Sequence, residues 1–410
     1  MVGSSVAGIR AAETLRQSGW DGDITMVTEE TGAPHDRPPL SKKFLAGEVD
    51  EDRIALRRPE MLESLALDWR RGSAAVSFDA ASRTVTLSSG ECITGDGVII
   101  ATGGRARTLP NVPMVPGVHV LRTLTDANAL RADLVAGSRL VVIGAGFIGL
   151  EAAATAVQMG VKVTVLEGAP APLIRGLGAQ MGTAIAGVHA RNGVDVRCGV
   201  SVEGIEHDSR VRAVLLAGGE RVEADTVLVG IGVSPATQWL EGSGITLRDG
   251  VVCDEFLSTG FPAVYAAGDL LRWPNAMFAH LEADMRVEHW TNAAEQGAAA
   301  AVNLVAELNG ADRSPYSAVP FFWSDQFDAR IQFLGRSHPD AHVEVVAGSP
   351  EDGRFCAMYV LNGRLTGVLG VSMPKLVMPS RALLMRVTGA DEARAHFAVL
   401  AGQMTGKPQG

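Results

Sequence analysis

Two glycine-rich turns, Gly3-Ser4-Ser5-Val6-Ala7-Gly8 and Gly144-Ala145-Gly146-Phe147-Ile148-Gly149, are each followed by an acidic residue, Glu29 and Glu167. The spacing is near or a little beyond the roughly 20 residues expected between a phosphate turn and a ribose acceptor. Such a turn carries the chain from a strand into a helix whose free N–H groups and dipole face a pyrophosphate, while the later carboxylate accepts from a ribose hydroxyl. Two turns imply two dinucleotides. A carboxylate at Glu167 repels a 2′-phosphate, so the second site is expected to take NADH rather than NADPH.

The second turn is positioned by complete elements: the buried strand Leu140-Val141-Val142-Ile143, an apolar helix from Phe147 to about Met159, and a strand ending in Glu167. The first turn departs from the pattern twice. Ser5 replaces the middle glycine, a minor change because serine is small. Only Met1 and Val2 stand where a central strand of several residues is expected, which leaves less sheet to anchor the turn. A helix from about Ala7 to Ser18 and the strand Ile24–Thr28 follow. Two similar glycine-rich strand ends, Val98–Gly104 and Val227–Gly232, suggest a duplicated module, the second copy interrupting the first. The expected organisation is a nucleotide domain from 1–113 and 242–317, an inserted one at 114–241, and a separate α+β domain at 318–410. In that last part the aromatics cluster, the runs at 331–334 and 356–361 with the turn Asn362-Gly363 indicate hairpins, and helical patterns begin at about Pro379.

The 410 residues allow two to three domains, and 47% hydrophobic content suits parallel strands buried on both faces. A net charge of −10 argues against general nucleic-acid binding, and no long apolar run suggests a membrane span or signal peptide. A cytoplasmic location is expected. The four cysteines, Cys92, Cys198, Cys253 and Cys356, form no close pair, so neither a redox disulfide nor a metal or iron–sulfur centre is expected.

Several further residues could carry chemistry or mere structure. Arg37 and Lys42 flank the stiff pair Pro38-Pro39 and could offer charge to a phosphate or a reduced ring, or be solvated cations beside a turn. Glu151 enters the helix beyond Gly149, where it either stabilises the dipole or meets Lys42 and ties the two nucleotide units together. Asp269 closes the strand Tyr265–Gly268 and could bond a polyol or cap a turn. Trp290, after Glu288 and His289, and Trp323 could stack on a flat ring or fill a core.

Together these strings resemble one family: Gly3-x-Ser5-x-Ala7-Gly8, Arg37–Lys42, Ala101-Thr102-Gly103, Leu121–Leu124, Gly144-x-Gly146-x-x-Gly149-x-Glu151, Ala267-Gly268-Asp269, Glu288-His289-Trp290 and Phe322–Gln326. They are similar to those of the FAD-dependent NADH:ferredoxin reductases, of the putidaredoxin reductase type, that serve bacterial cytochromes P450 and ring-hydroxylating dioxygenases. The Asp36–Lys42 and Phe322–Gln326 strings are the specific part. The resemblance implies an α/β, glutathione-reductase-like fold with two Rossmann-type nucleotide domains and a C-terminal α+β interface domain. It implies that Gly3, Ser5, Ala7, Gly8 and Glu29 hold the FAD pyrophosphate and ribose, that Arg37, Lys42, Thr102, Arg122 and Asp269 contact other parts of FAD, and that Gly144, Gly146, Gly149 and Glu167 hold NADH. Val76, Gly103, Gly232 and Gly268 complete the cofactor-binding set. Lys42 with Glu151 would lie beside the flavin, and Trp290 and Trp323 would border it and the ferredoxin side. The implied partner is a [2Fe–2S] ferredoxin, bound transiently, with a P450 or dioxygenase downstream. A flavin reductase for rubredoxin or a small acceptor, and a redox-sensing interaction flavoprotein, are the alternatives. The family has a full first strand where this chain has Met1 and Val2, so either that strand stands upstream or FAD is held less firmly.

Overall fold

The apolar runs of the sequence become inner strands of two parallel sheets in the computed structural model, which describes residues 1–405. The chain divides into two units, each discontinuous: residues 1–36, 51–105 and 234–320 form one, and residues 37–50, 106–233 and the described residues after 320 form the other.

In the first unit, strand Ile24–Thr28 pairs in parallel with Leu67–Arg71, and Val98–Ile100 with Val264–Ala266. Val2 lies between the two pairs, bridging Val27 on one side and Ile100 on the other. Its N–H donates to Ile99 O at 3.0 Å and its carbonyl accepts from Ala101 N at 2.8 Å, while Val27 N donates to Met1 O and Gly3 N to Val27 O. Two residues thus supply a central strand position, and the expected loss of anchorage is offset by backbone bonds on both edges. The helix Val6–Gln17 leaves this position and packs on the helix Trp290–Leu308, where a Cβ on Gly297 would lie 2.2 Å from Ala7 O. A small antiparallel meander, Ala75–Asp79, Thr84–Leu87 and Cys92–Thr94, flanks the sheet.

The second unit holds a five-stranded parallel sheet in the order 195–198, 162–167, 139–143, 226–229, 118–119. Its strand Arg139–Ile143 is buried over its last four residues. The helix Phe147–Gln158, rich in alanine, follows directly and buries Leu150 through Ala156. The C-terminal sheet is antiparallel, with strand order 321–326, 329–335, 364–371, 354–361, 342–349. The hairpin at Asn362-Gly363 takes φ of 49° and 75°, the double positive pair of a type I′ turn. Its strands 354–361 and 364–371 are buried almost continuously rather than on alternate residues, because both faces are covered. Tyr359 marks one covered face, its hydroxyl donating to Leu177 O at 2.7 Å. The terminal helical region begins at Pro374 rather than Pro379: Pro374 opens a helical turn at its first position, where no N–H is needed, and Pro379 lies inside the 3₁₀ turn Met378–Ser380 that continues it.

Candidate functional site

The two glycine turns fold alike. Gly3 and Gly144 take φ of +108° and +103°, conformations that glycine adopts without strain. Ser5 and Gly146 are both extended N-cap residues, at φ −80° and −78°, which is why serine replaces glycine there at little cost. Crowding falls on the last glycine of each turn: a Cβ on Gly8 would lie 1.9 Å from Gly3 O, and one on Gly149 2.4 Å from Gly144 O. The first glycine of each turn meets the neighbouring strand end in the same way, at Ala101 O and Gly230 O. Neither helix begins with a side-chain cap bond, so the first N–H groups remain available to an anion.

Around the first turn, in the first unit, Ser4 Oγ donates to Thr28 Oγ1 at 2.9 Å beside the strand end that carries Glu29. Glu29 accepts from Arg105 at 2.7 Å in an exposed ion pair. Thr102 Oγ1 donates to Ala236 O at 2.8 Å and Gly103 O accepts from Ala236 N at 2.9 Å, which fixes the strand end facing Gly3. A Cβ on Gly268 would lie 3.2 Å from that of Ala7, so the strand end preceding Asp269 also adjoins the turn. Gln296, fully buried, accepts from Gly268 N at 2.9 Å, while its Nε2 donor has no protein partner. A buried donor left over at such a place suits the oxygens of a ligand, and the residue was not singled out in the sequence. Trp290 Nε1 donates to Asp36 Oδ1 at 2.8 Å, and burial raises the Asp36 pKa against that bond. Val76 stands 51% exposed on the antiparallel meander.

In the second unit, Glu167 is fixed beside its turn: one carboxylate oxygen accepts from Ala145 N at 2.7 Å and the other from Ala169 N at 2.8 Å. Gly232 has φ +99° at the end of the neighbouring strand. Arg37 caps the 3₁₀ turn Pro38–Ser41, whose two prolines begin it, and Arg122 precedes the helix Leu124–Asp133, its N–H bonded to Asp126. Trp323 stacks on Phe321 with ring centroids 6.1 Å apart.

Lys42 follows that rigid turn, and Thr155 Oγ1 donates to Ser41 O at 2.8 Å to pin it against the helix Phe147–Gln158. Lys42 Nζ reaches Glu151 Oε2 at 2.7 Å and Pro38 O at 3.1 Å. Glu151 is only 5% exposed. Ser41 Oγ donates to the same carboxylate oxygen at 2.5 Å, and Ser324 Oγ to the other at 2.6 Å. Three donors, Ser41, Lys42 and Ser324, thus converge on the two oxygens of this carboxylate. Ser324 and Gln326 stood in the sequence only as part of a signature string. Their alternation with Phe322 on one strand was the available signal, since residues two apart share a face.

Beyond Ser324 the polar chain ends at His189, which is fully buried. Burial lowers its pKa, opposed by its bond to Gln326. The unfolded chain therefore binds more protons than the folded one below the ordinary histidine value of about 6.5, and stability falls as pH is lowered through it. In urea titrations, wild type should lose stability between about pH 7 and pH 5 more steeply than His189→Gln. Equal slopes would assign the acid sensitivity to other groups.

All four cysteines are free thiols, and burial pushes Cys356 up to about 12. Among the described residues no cluster of His, Cys, Asp and Glu could hold a metal, and no helix is long and apolar enough to cross a membrane.

Two Rossmann-type glycine turns on parallel sheets, with a C-terminal antiparallel sheet and helices, define a glutathione-reductase-like flavoprotein architecture. The chain belongs to the pyridine nucleotide-disulphide oxidoreductase family, which it matches over residues 1–297, and residues 321–398 match the reductase C-terminal family. It is 38% identical to rhodocoxin reductase of Rhodococcus erythropolis over 94% of this chain and 88% of the relative. It is 34% identical to the ferredoxin–NAD(+) reductase component of the p-cumate 2,3-dioxygenase system of Pseudomonas putida, over 96% and 94%. Among solved structures, the covalent putidaredoxin reductase–putidaredoxin complex matches with a TM-score of 0.89 at 32% identity, covering 98% of each chain.

Proposed function

We infer that this protein is an NADH-dependent, FAD-containing ferredoxin reductase, passing electrons from NADH to a [2Fe–2S] ferredoxin that supplies a cytochrome P450 or Rieske-type oxygenase. The observation that carries this reading is the pair of matching dinucleotide cradles in a chain whose cysteines are all unpaired. Two cradles suit a flavin and a pyridine nucleotide, and the lack of a dithiol points the electrons outward to a protein carrier. The relatives along nearly the whole chain are reductases of such carriers.

When bound, FAD supplies the conversion of a hydride into single electrons. Everything else falls to this chain. Gly3, Ser5, Ala7 and Gly8 would hold its pyrophosphate, Glu29 the ribose, and Thr102, Arg37, Arg122 and Asp269 the remainder, with Gln296 added by its leftover donor. Gly144, Gly146, Gly149 and Glu167 would hold NADH. Lys42, oriented by Glu151, would offer positive charge where negative charge accumulates on the ring, and Trp290 and Trp323 would keep water away. We assign FAD binding to 1–113 and 242–317, NADH binding to 114–241, and ferredoxin contact to 318–410. The cytoplasm, where NADH is regenerated, is the proposed compartment.

The test is cytochrome c reduction by NADH with and without [2Fe–2S] ferredoxins, in which one NADH should reduce two ferredoxins. Failure of the purified protein to bind flavin would sink the reading. Lys42→Ala should slow anaerobic flavin reduction by roughly 10- to 100-fold, the size expected for loss of one preorganised charge. An unchanged stopped-flow rate would remove Lys42 from the chemistry.

A further inference from the structure

The hydrogen bonds that reach Glu151 from the C-terminal sheet run in one direction. His189 Nε2 pairs with Gln326 Oε1 at 2.8 Å, and because that oxygen can only accept, the histidine nitrogen is the donor. Gln326 Nε2 then donates to Ser324 Oγ at 3.0 Å, and Ser324 Oγ donates to Glu151 Oε1 at 2.6 Å. His189, Gln326 and Ser324 are at most 1% exposed, so water does not compete. His189 packs edge-on to Phe327, 5.2 Å between centroids, and its Nδ1 has no partner. The chain therefore has a closed far end. Its middle link is an amide, which does not readily pass a proton from oxygen to nitrogen. This row of donors holds Glu151; it does not conduct protons.

We propose that Ser324, with Gln326 and His189 behind it, is a positioning residue for Lys42: it fixes one oxygen of Glu151 so that the other is presented to the Lys42 ammonium. The proposal deepens the reductase reading by making the first strand of the C-terminal sheet part of the charge that reduction requires. The geometry divides the work between the carboxylate oxygens. Oε1 is bound by Ser324 from the sheet, while Oε2 receives Ser41 and Lys42 from the turn. Losing the Ser324 hydroxyl leaves Oε1 buried with no donor of its own, and the carboxylate is then expected to swing and share its charge differently with Lys42. Ser324 Oγ gives its one proton to Glu151 and accepts from Gln326, so its effect on Lys42 passes through Glu151.

The experiment measures the reactivity of the Lys42 amine, in apoprotein and flavin-loaded protein alike, as its rate of acetylation by acetic anhydride. Mass spectrometry reads the rate against exposed Lys375 as an internal reference. Ser324→Ala should acetylate at Lys42 several-fold faster than wild type, Ser324→Thr should return to the wild-type rate, and the flavin midpoint potential of Ser324→Ala should move to more negative values. Gln326→Met keeps the volume but loses the donor, and should move Lys42 reactivity in the same direction by a smaller factor. Should Ser324→Ala fail to fold, Gln326→Met decides the matter. Lys42 acetylation within twofold of wild type in folded Ser324→Ala, or in Gln326→Met where that alone folds, would overturn the proposal. Because the amine is read directly, a protein that reduces no ferredoxin yet shows the Ser324 effect would reject the function and keep this inference.

Discussion

NADH should reduce the flavin-loaded protein at least about 30-fold more efficiently than NADPH, and Glu167→Gln should narrow that ratio to a few-fold. The carboxylate cannot turn aside to admit a 2′-phosphate, since both its oxygens are engaged by backbone N–H groups, Ala145 on the turn and Ala169 just beyond the strand. Two like charges about 4 Å apart repel by roughly 4 kcal/mol at an effective dielectric of 20, and screening that halves this still leaves about 2 kcal/mol, some thirty-fold. Glutamine keeps the shape and removes the charge. It cannot reproduce both acceptor bonds, so a modest loss with NADH accompanies the gain with NADPH. Steady-state kcat/KM with the two coenzymes checks this; a wild-type ratio near unity would show that Glu167 does not face the ribose.

Gly8→Ala should give a protein that retains little FAD. The new Cβ would stand 1.9 Å from Gly3 O, an atom of the same turn that is tied down because Gly3 N donates to Val27 O. Backbone cannot step aside as a flexible side chain can, so the helix must back away from the turn, at a cost of about 1–3 kcal/mol or more. That movement also misplaces the N–H groups at the helix start, and each 1.4 kcal/mol lost in binding is about tenfold in affinity. Flavin per chain after gel filtration should fall by about tenfold or more on that scale. Gly32→Ala is the matched control, since its Cβ meets nothing within 4 Å, and it should retain flavin fully. Equal retention in both would mean that the first turn does not cradle the pyrophosphate.

The turns were legible because their constraint is local. A glycine that must accept a positive φ or a carbonyl at contact distance leaves its mark on the residue type itself, and the same is true of Asn362-Gly363. Boundaries governed by tertiary cover were less legible. The run 356–361 and the turn Asn362-Gly363 indicated a hairpin, yet that its strands 354–361 and 364–371 are buried on both faces depends on segments from elsewhere in the chain. Pro374 and Pro379 are both compatible with a helical start, and only packing chose between them. Val2 could be read only as a remnant, because a strand of one or two residues has no periodicity; the four backbone bonds of Met1, Val2 and Gly3 to Val27, Ile99 and Ala101 come from neighbours distant in sequence.

From its residues alone this chain shows two glycine-rich turns each followed by an acid, Glu29 and Glu167, and four cysteines with no close pair, since each follows from residue type and short-range spacing. The meeting of Lys42 with Glu151, and of Glu151 with Ser41 and Ser324, belongs to the tertiary structure. A buried carboxylate selects its donors by where three separate segments are packed, and hydrogen-bond geometry over such separations leaves no pattern along the chain. Ser324, Gln326 and His189 are ordinary polar residues in the sequence; low exposure and direction of donation make them a support for charge.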